Sequence, residues 1–206
     1  MKGKFITLEG GEGAGKSTAL TFIQDYLTKA GKEVVVTREP GGTPVAEAIR
    51  QLLLNPDLPE PLDPKTELLL MFASRAQHLA QRIQPALEAG KWVVCDRFVD
   101  ASYAYQQGGR GLAVKWIEDL DQFVVADLRP ELTILLDIDP KIGLARSKTR
   151  GPQDRFELEN LAFFEKVRHA YLARAAEDKA RFRIIDAAQP LPLVQGQIAL
   201  VLNGLL

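Results

Sequence analysis

The chain's 206 residues, 46% hydrophobic and 26% charged, suffice to bury a core in one domain and exclude disordered or fibrous architectures. Lysine and arginine number 26 against 27 acidic residues, so no global field favours nucleic acid or an anionic membrane surface. A single cysteine, Cys95, excludes an internal disulfide, and two distant histidines, His78 and His169, offer little for a metal or a nucleophilic triad.

The chain begins Met1-Lys2-Gly3-Lys4, and Glu9 interrupts the short apolar stretch behind it, which argues against a signal peptide. No apolar run approaches the roughly 20 residues of a membrane span, and a cytoplasmic α/β protein is expected. In chain order, apolar and β-branched runs predict strands over 5–8, 34–36, 92–95, 132–136 and 182–185. A glycine cluster follows the first strand. Leu20, Ile23, Leu27 and Ala30 then recur at helical spacing until Gly31 supplies the stop. Further helices are predicted over 45–54, 67–90, 114–125, 158–176 and 193–205. The segment 55–64 holds four prolines and reads as a loop. So does 146–155, where Arg146, Lys148, Arg150 and Arg155 cluster around Gly151-Pro152. Strands alternating with helices imply right-handed βαβ units and a parallel sheet of about five strands, covered on both faces.

Gly10-Gly11-Glu12-Gly13-Ala14-Gly15-Lys16-Ser17 matches G-x-x-x-x-G-K-[ST] in full, between a strand and a helix. Glycines let the backbone turn its N–H groups inward as an anion nest, and a helix N-terminus adds partial positive charge. Lys16 is placed for the β- and γ-phosphates and the Ser17 hydroxyl for Mg²⁺, with Thr18 beside it. A nucleoside triphosphate is the expected ligand. The D-x-x-G switch and N-K-x-D base reader of signalling GTPases are absent from the sequence. Instead the third predicted strand ends Cys95-Asp96-Arg97-Phe98. This sets an Asp suited to the metal's water shell beside an Arg suited to phosphate. Cys95 reads as a small buried residue, and His78 and His169 as hydrogen-bonded surface residues.

Together with that loop, Thr37-Arg38-Glu39-Pro40-Gly41-Gly42-Thr43, Asp96-Arg97-Phe98, Tyr105-Gln106-Gln107-Gly108-Gly109-Arg110-Gly111 and Ile185-Asp186-Ala187 resemble the bacterial thymidylate kinases, in order along essentially the whole chain. The resemblance implies a three-layer P-loop NTPase fold with a five-stranded parallel sheet. It also implies a single domain over 1–206, an arginine-rich lid at about 146–156, and a homodimer. The implied reaction moves the γ-phosphoryl group of ATP to dTMP with Mg²⁺ as cofactor, and neither nucleic acid nor membrane is a partner. By position, the 10–18 loop, Arg146 and the backbone around Ala187 would hold the nucleotide, and Ser17 and Asp96 the metal. Arg50 and Arg97 would grip the dTMP phosphate, with Glu39 supporting that region. Arg75 would donate to the thymine, Ser102 and Gln106 would meet its other edge atoms, and Tyr105 would pack under the sugar. Glu12 resembles the acidic loop residue near the sugar 3′-hydroxyl and the metal.

Two positions depart from the family pattern. The family usually stacks thymine on a phenylalanine four residues before the base-reading arginine. Here Met71 holds that place, and Phe72, three before Arg75, is the expected stacking ring. Some thymidylate kinases carry a catalytic arginine inside the P-loop, but Glu12, Gly13 and Ala14 leave none there. The role then passes to Arg146, Arg150 or Arg155, with Arg150, beside Gly151, the expected catalyst. The helix over 114–125 and the stretch around Leu69 and Leu79 carry apolar positions for a dimer face. On the residues alone, two other readings stay open: a P-loop kinase of another small acceptor, and a regulatory nucleotide-binding module.

Overall fold

The computed structural model describes residues 3–147 and 153–206. Its strands are β1 Phe5–Glu9, β2 Val34–Arg38, β3 Trp92–Asp96, β4 Leu132–Asp137 and β5 Phe182–Asp186. All pair in parallel, in the order β2-β3-β1-β4-β5. Around them lie α1 Lys16–Lys29, α2 Pro44–Leu54, α3 Pro64–His78, α4 Gln84–Glu88, α5 Val99–Ser102, α6 Val114–Val124, α7 Pro140–Ser147, α8 Leu161–Glu177 and α9 Leu191–Asn203.

Near-continuous apolar strands need cover on both faces, and they have it. Ile6, Leu8, Val94 and Ile134 pack with Ile23 and Leu27 of α1 and Ile198 and Leu202 of α9. Phe5, Val93 and Cys95 turn the other way, onto Phe72, Leu79, Ile83 and Phe98. A third cluster joins Leu135 to Tyr105 and to Phe163, Val167 and Tyr171 of α8. The strands' carboxyl ends share one edge, so the segments after β1, β2, β3 and β5 converge there, where open parallel sheets place their ligands.

The structure departs from the sequence expectations at four places. The single helix over 67–90 is α3, a wide π-helical turn over Leu79–Ile83, and then α4. Pro85 lies just inside α4, and a ring without an N–H inside a helical run opens the turn before it. The stretch that begins with α5 and continues as a π-helical turn over Tyr103–Gly109 had no helical periodicity to announce it. The segment taken as a loop from 146 starts inside α7, whose first turn is set by Asp139 accepting from the Lys141 N–H at 2.7 Å. Leu79, expected on a dimer face, belongs to the core.

Candidate active site

The glycine loop folds as a cradle because two backbones meet. Gly13 has φ +68°, and a Cβ there would stand 1.9 Å from the carbonyl oxygen of Gly143 in α7. A Cβ on Gly143 would stand 2.3 Å from the Glu12 carbonyl oxygen. α1 then starts at Lys16 without a side-chain cap, so its first N–H groups suit an anion. The buried Lys16 ammonium donates to the carbonyls of Gly10 (3.1 Å) and Gly11 (2.9 Å), which leaves one of its three donors. Burial pushes its pKa down and the Arg97 charge adds to that, against the pull of Glu12, Asp96 and Glu9.

Arg97 leaves β3 in the left-handed region, φ 65°, a conformation that non-glycine residues reach at a cost. This turn brings its Nη2 to Glu12 Oε1 and to the Tyr105 hydroxyl, 2.9 Å away. The Tyr105 hydroxyl in turn donates to Glu12 at 3.0 Å. Burial works against a charged Glu12. The Arg97 and Lys16 charges outweigh it and hold the carboxyl at about 2. Among the described residues, Arg97 Nε and Asp96 Oδ1 are buried without hydrogen-bond partners. A native interior rarely leaves such atoms idle, and here an unspent donor and an unspent oxygen sit at one strand end.

Glu9, at the end of β1, was not singled out from sequence. Fully buried, it accepts from the Phe98 N–H at 2.7 Å and from the Tyr171 hydroxyl at 2.8 Å, which ties the turn after Arg97 to α8. Burial, and then the Asp100 charge, raise its pKa to about 8. A carboxyl raised in the folded state binds more protons folded than unfolded between its two pKa values, so its contribution is lost as pH rises toward 8. Calorimetric stability should therefore fall as pH is raised from about 5 to about 8, and Glu9→Gln should flatten that slope. An unchanged slope in the variant would assign the effect to another group.

Beside the cradle lies a cleft, open to solvent, that encloses about 550 Å³ of non-atom space. Glu39, Arg50, Arg75, Arg97, Ser102, Tyr105 and Gln106 all line it. Arg75 is buried and spends its donors on three elements: Nε to Glu39 at 2.7 Å, Nη1 to Ser102 Oγ at 3.1 Å, and Nη2 to the Phe98 carbonyl at 3.1 Å. The second Glu39 oxygen meets His78 Nδ1 at 3.1 Å, and His78 Nε2 meets Thr37 Oγ1 at 2.6 Å. His78 is thus buried, not a surface residue, because β2 and its following turn bring partners to both ring nitrogens. His169 is exposed. Arg50 Nη1 donates to the Pro40 carbonyl at 2.8 Å, and burial, then the Arg38 charge, lower its pKa. Phe72 lies in the core with the Arg75 guanidinium 4.6 Å above its ring, off the cavity wall, whereas Met71 is on that wall.

The lid residues separate. Arg146 donates to the Ala187 carbonyl at 3.1 Å, which joins two positions expected at the nucleotide. Arg150 lies outside the described residues. Arg155 is turned away from the phosphate loop. Its Nε donates to the Leu53 carbonyl at 2.8 Å, and its Nη2 stands 2.7 Å from Glu67. Glu67 is a second carboxylate that sequence reasoning missed: it stands at the start of the helix expected over 67–90 and is fully buried. The available signal for Glu9 was a charge ending a run whose pattern demands burial.

A family model described as thymidylate kinase matches residues 8–198. A thymidylate kinase of Pseudomonas fluorescens strain Pf0-1 is 57% identical over 206 residues, covering 100% of this chain and 98% of its own length. One from Chromohalobacter salexigens is 59% identical over 198 residues, 96% of this chain and 93% of its own. The crystal structure of thymidylate kinase from Ehrlichia chaffeensis superposes with a TM-score of 0.79 at 31% identity, covering 98% of this chain and 99% of that one.

Proposed function

The chain belongs to the thymidylate kinase family and transfers the γ-phosphoryl group of ATP to dTMP, and we propose that the cradle, cavity and cations described above carry out that transfer as follows. The observation that carries the assignment of roles is the cavity itself, lined both by the phosphate-type cations Arg50 and Arg97 and by the polar edge Arg75, Ser102 and Gln106.

The 10–18 loop and the uncapped start of α1 receive the triphosphate, Lys16 moves its donors from the loop carbonyls to the phosphates, and Arg146 and Ala187 lie at the base. Arg50 and Arg97 hold the dTMP phosphate for in-line attack. Arg97 trades part of its contact with Glu12 for phosphate oxygens, and its idle Nε finds an acceptor. Ser17 and Asp96 would hold Mg²⁺. The partnerless Asp96 Oδ1 is the hard oxygen such an ion takes, alongside waters and substrate phosphates. Bound there, the ion would neutralise phosphate charge. Arg150 supplies further charge at the migrating group. Tyr105 packs under the sugar, and Met71, not Phe72, forms the wall beside the base. Glu39 orders this half through Arg75.

ADP formation from ATP and Mg²⁺ with dTMP, dUMP, dCMP, dGMP, AMP or no acceptor tests the assignment. Turnover should be strong with dTMP, weak with dUMP, which lacks one methyl worth about 1–3 kcal/mol, and almost nil with dCMP. A dCMP rate near that of dTMP would remove Arg75 from the base, and equal rates without acceptor would leave only a nucleotide hydrolase. The chain works as one domain over 1–206, in a cytoplasmic homodimer. Its apolar contact is the outward side of α3 and α6, where Leu69, Trp116 and the 84% exposed Phe123 lie uncovered. A monomer in sedimentation at micromolar concentration would remove the dimer.

A further inference from the structure

We propose that Glu67 fixes which end of the Gln106 carboxamide faces the base, and thereby decides that a thymine edge is admitted and a cytosine edge refused. The inference rests on the reading of the cavity as the base site. Glu67 itself touches no part of the cavity's contents, so it is a positioning residue.

Glu67 has no exposed surface. Arg110 reaches it with Nε, 3.2 Å from each carboxylate oxygen, and with Nη2 at 3.1 Å, while Arg155 forms an ion pair at 2.7 Å. A carboxylate between two guanidinium groups offers only acceptor atoms. Gln106 Nε2 meets Glu67 Oε1 at 2.8 Å. The opposite amide orientation would press a carbonyl oxygen against a carboxylate oxygen, so chemistry fixes the orientation, whatever atom names are assigned to the amide. Gln106 also lines the cavity, and with Nε2 given to Glu67 the amide atom it retains for a base is the acceptor Oε1.

Arg75 can only donate. Ser102 Oγ already accepts from Arg75 Nη1, which leaves its proton and one lone pair. The cavity therefore presents a donor from Arg75, an acceptor from Gln106, and a Ser102 hydroxyl able to give its proton. A thymine edge carries two carbonyl oxygens and one N–H, the complement of that set. A cytosine edge carries one carbonyl, a bare ring nitrogen and an amine, so two of its three atoms oppose it. Reversing the Gln106 amide would convert the acceptor into a donor and favour cytosine's bare nitrogen. Sites built on such buried hydrogen bonds discriminate far more strongly than methyl-sized pockets.

The test compares dTMP with 5-methyl-dCMP, which differ only along this edge, in the wild type, Glu67→Gln and Gln106→Leu. A glutamine at 67 can show the neighbouring amide either an oxygen or an NH₂. The ratio of kcat/KM values for dTMP over 5-methyl-dCMP should then fall at least tenfold, with the 5-methyl-dCMP value rising in absolute magnitude. A merely structural role would lower both substrates together and leave the ratio intact, which would overturn the proposal. Gln106→Leu separates the two layers of inference. If it leaves the ratio unchanged, the base-site reading fails. If it collapses the ratio while Glu67→Gln does not, the orienting role fails. Should Glu67→Gln not fold, glutamine-labelled wild-type enzyme decides by NMR. The Gln106 NH₂ protons should be protected from exchange before dTMP is added, and freely exchanging protons would overturn the proposal.

Discussion

Replacing Arg97 with methionine is expected to lower kcat/KM for dTMP by about 10³-fold or more, the effect of an arginine that meets transferring phosphate. The side chain is half-buried, its Nη2 is shared between Glu12 and Tyr105, and its Nε is unspent, so it stands at the junction of cradle and cavity. Methionine keeps most of the bulk over the Tyr105 ring, which the guanidinium now covers at 5.2 Å, and removes only charge and donors. Glu12 would lose the stronger of the two charges that hold its pKa at about 2, so its carboxyl should titrate at higher pH in the variant. Steady-state kinetics with both substrates reads the effect. A loss below tenfold would place Arg97 outside the reacting phosphates.

Glu39→Ala is expected to be the most destabilising single change in the site. It strips a buried guanidinium of its carboxylate, and breaking a buried pair from one side costs about 3–5 kcal/mol. At roughly 2–4 °C per kcal/mol for a chain of this size, the thermal midpoint should drop by about 6–20 °C. His78 loses the partner of its Nδ1 in the same step, and Arg75 loses the anchor that aims it at Ser102 and the Phe98 carbonyl, so KM for dTMP should rise as well. Removing both charges with Glu39→Ala and Arg75→Met together should cost clearly less than the sum of the single changes, because neither partner is then left bare. Strict additivity in thermal unfolding would show that the pair is not a unit.

Local patterns in the sequence carried most of the frame. The five strands run as expected to within two residues at each end, because uninterrupted β-branched runs fit only a sheet covered on both faces. The 10–17 loop was legible because its spacing is its mechanism. What stayed hidden depends on contacts between distant positions. Glu9 meets residues 89 and 162 positions away, and Glu67 meets Gln106 across 39, so neither carboxylate reveals a partner locally. Met71 and Phe72 are both on the Arg75 side of a helix, four and three residues back, and only the tertiary packing sends the ring into the core and the thioether to the wall. The π-helical turn that presents Tyr105 and Gln106 has neither a period of 3.6 nor one of 2.

The close approach of Gly13 to Gly143 also limits what the phosphate loop can carry. Any side chain at position 13 would drive a Cβ to 1.9 Å from the Gly143 carbonyl oxygen of α7 and hold a left-handed backbone against its preference. A side chain at 143 would meet the Glu12 carbonyl oxygen at 2.3 Å in turn. Neither position can take a side chain unless the loop and the helix shift together, so the two elements vary as one unit.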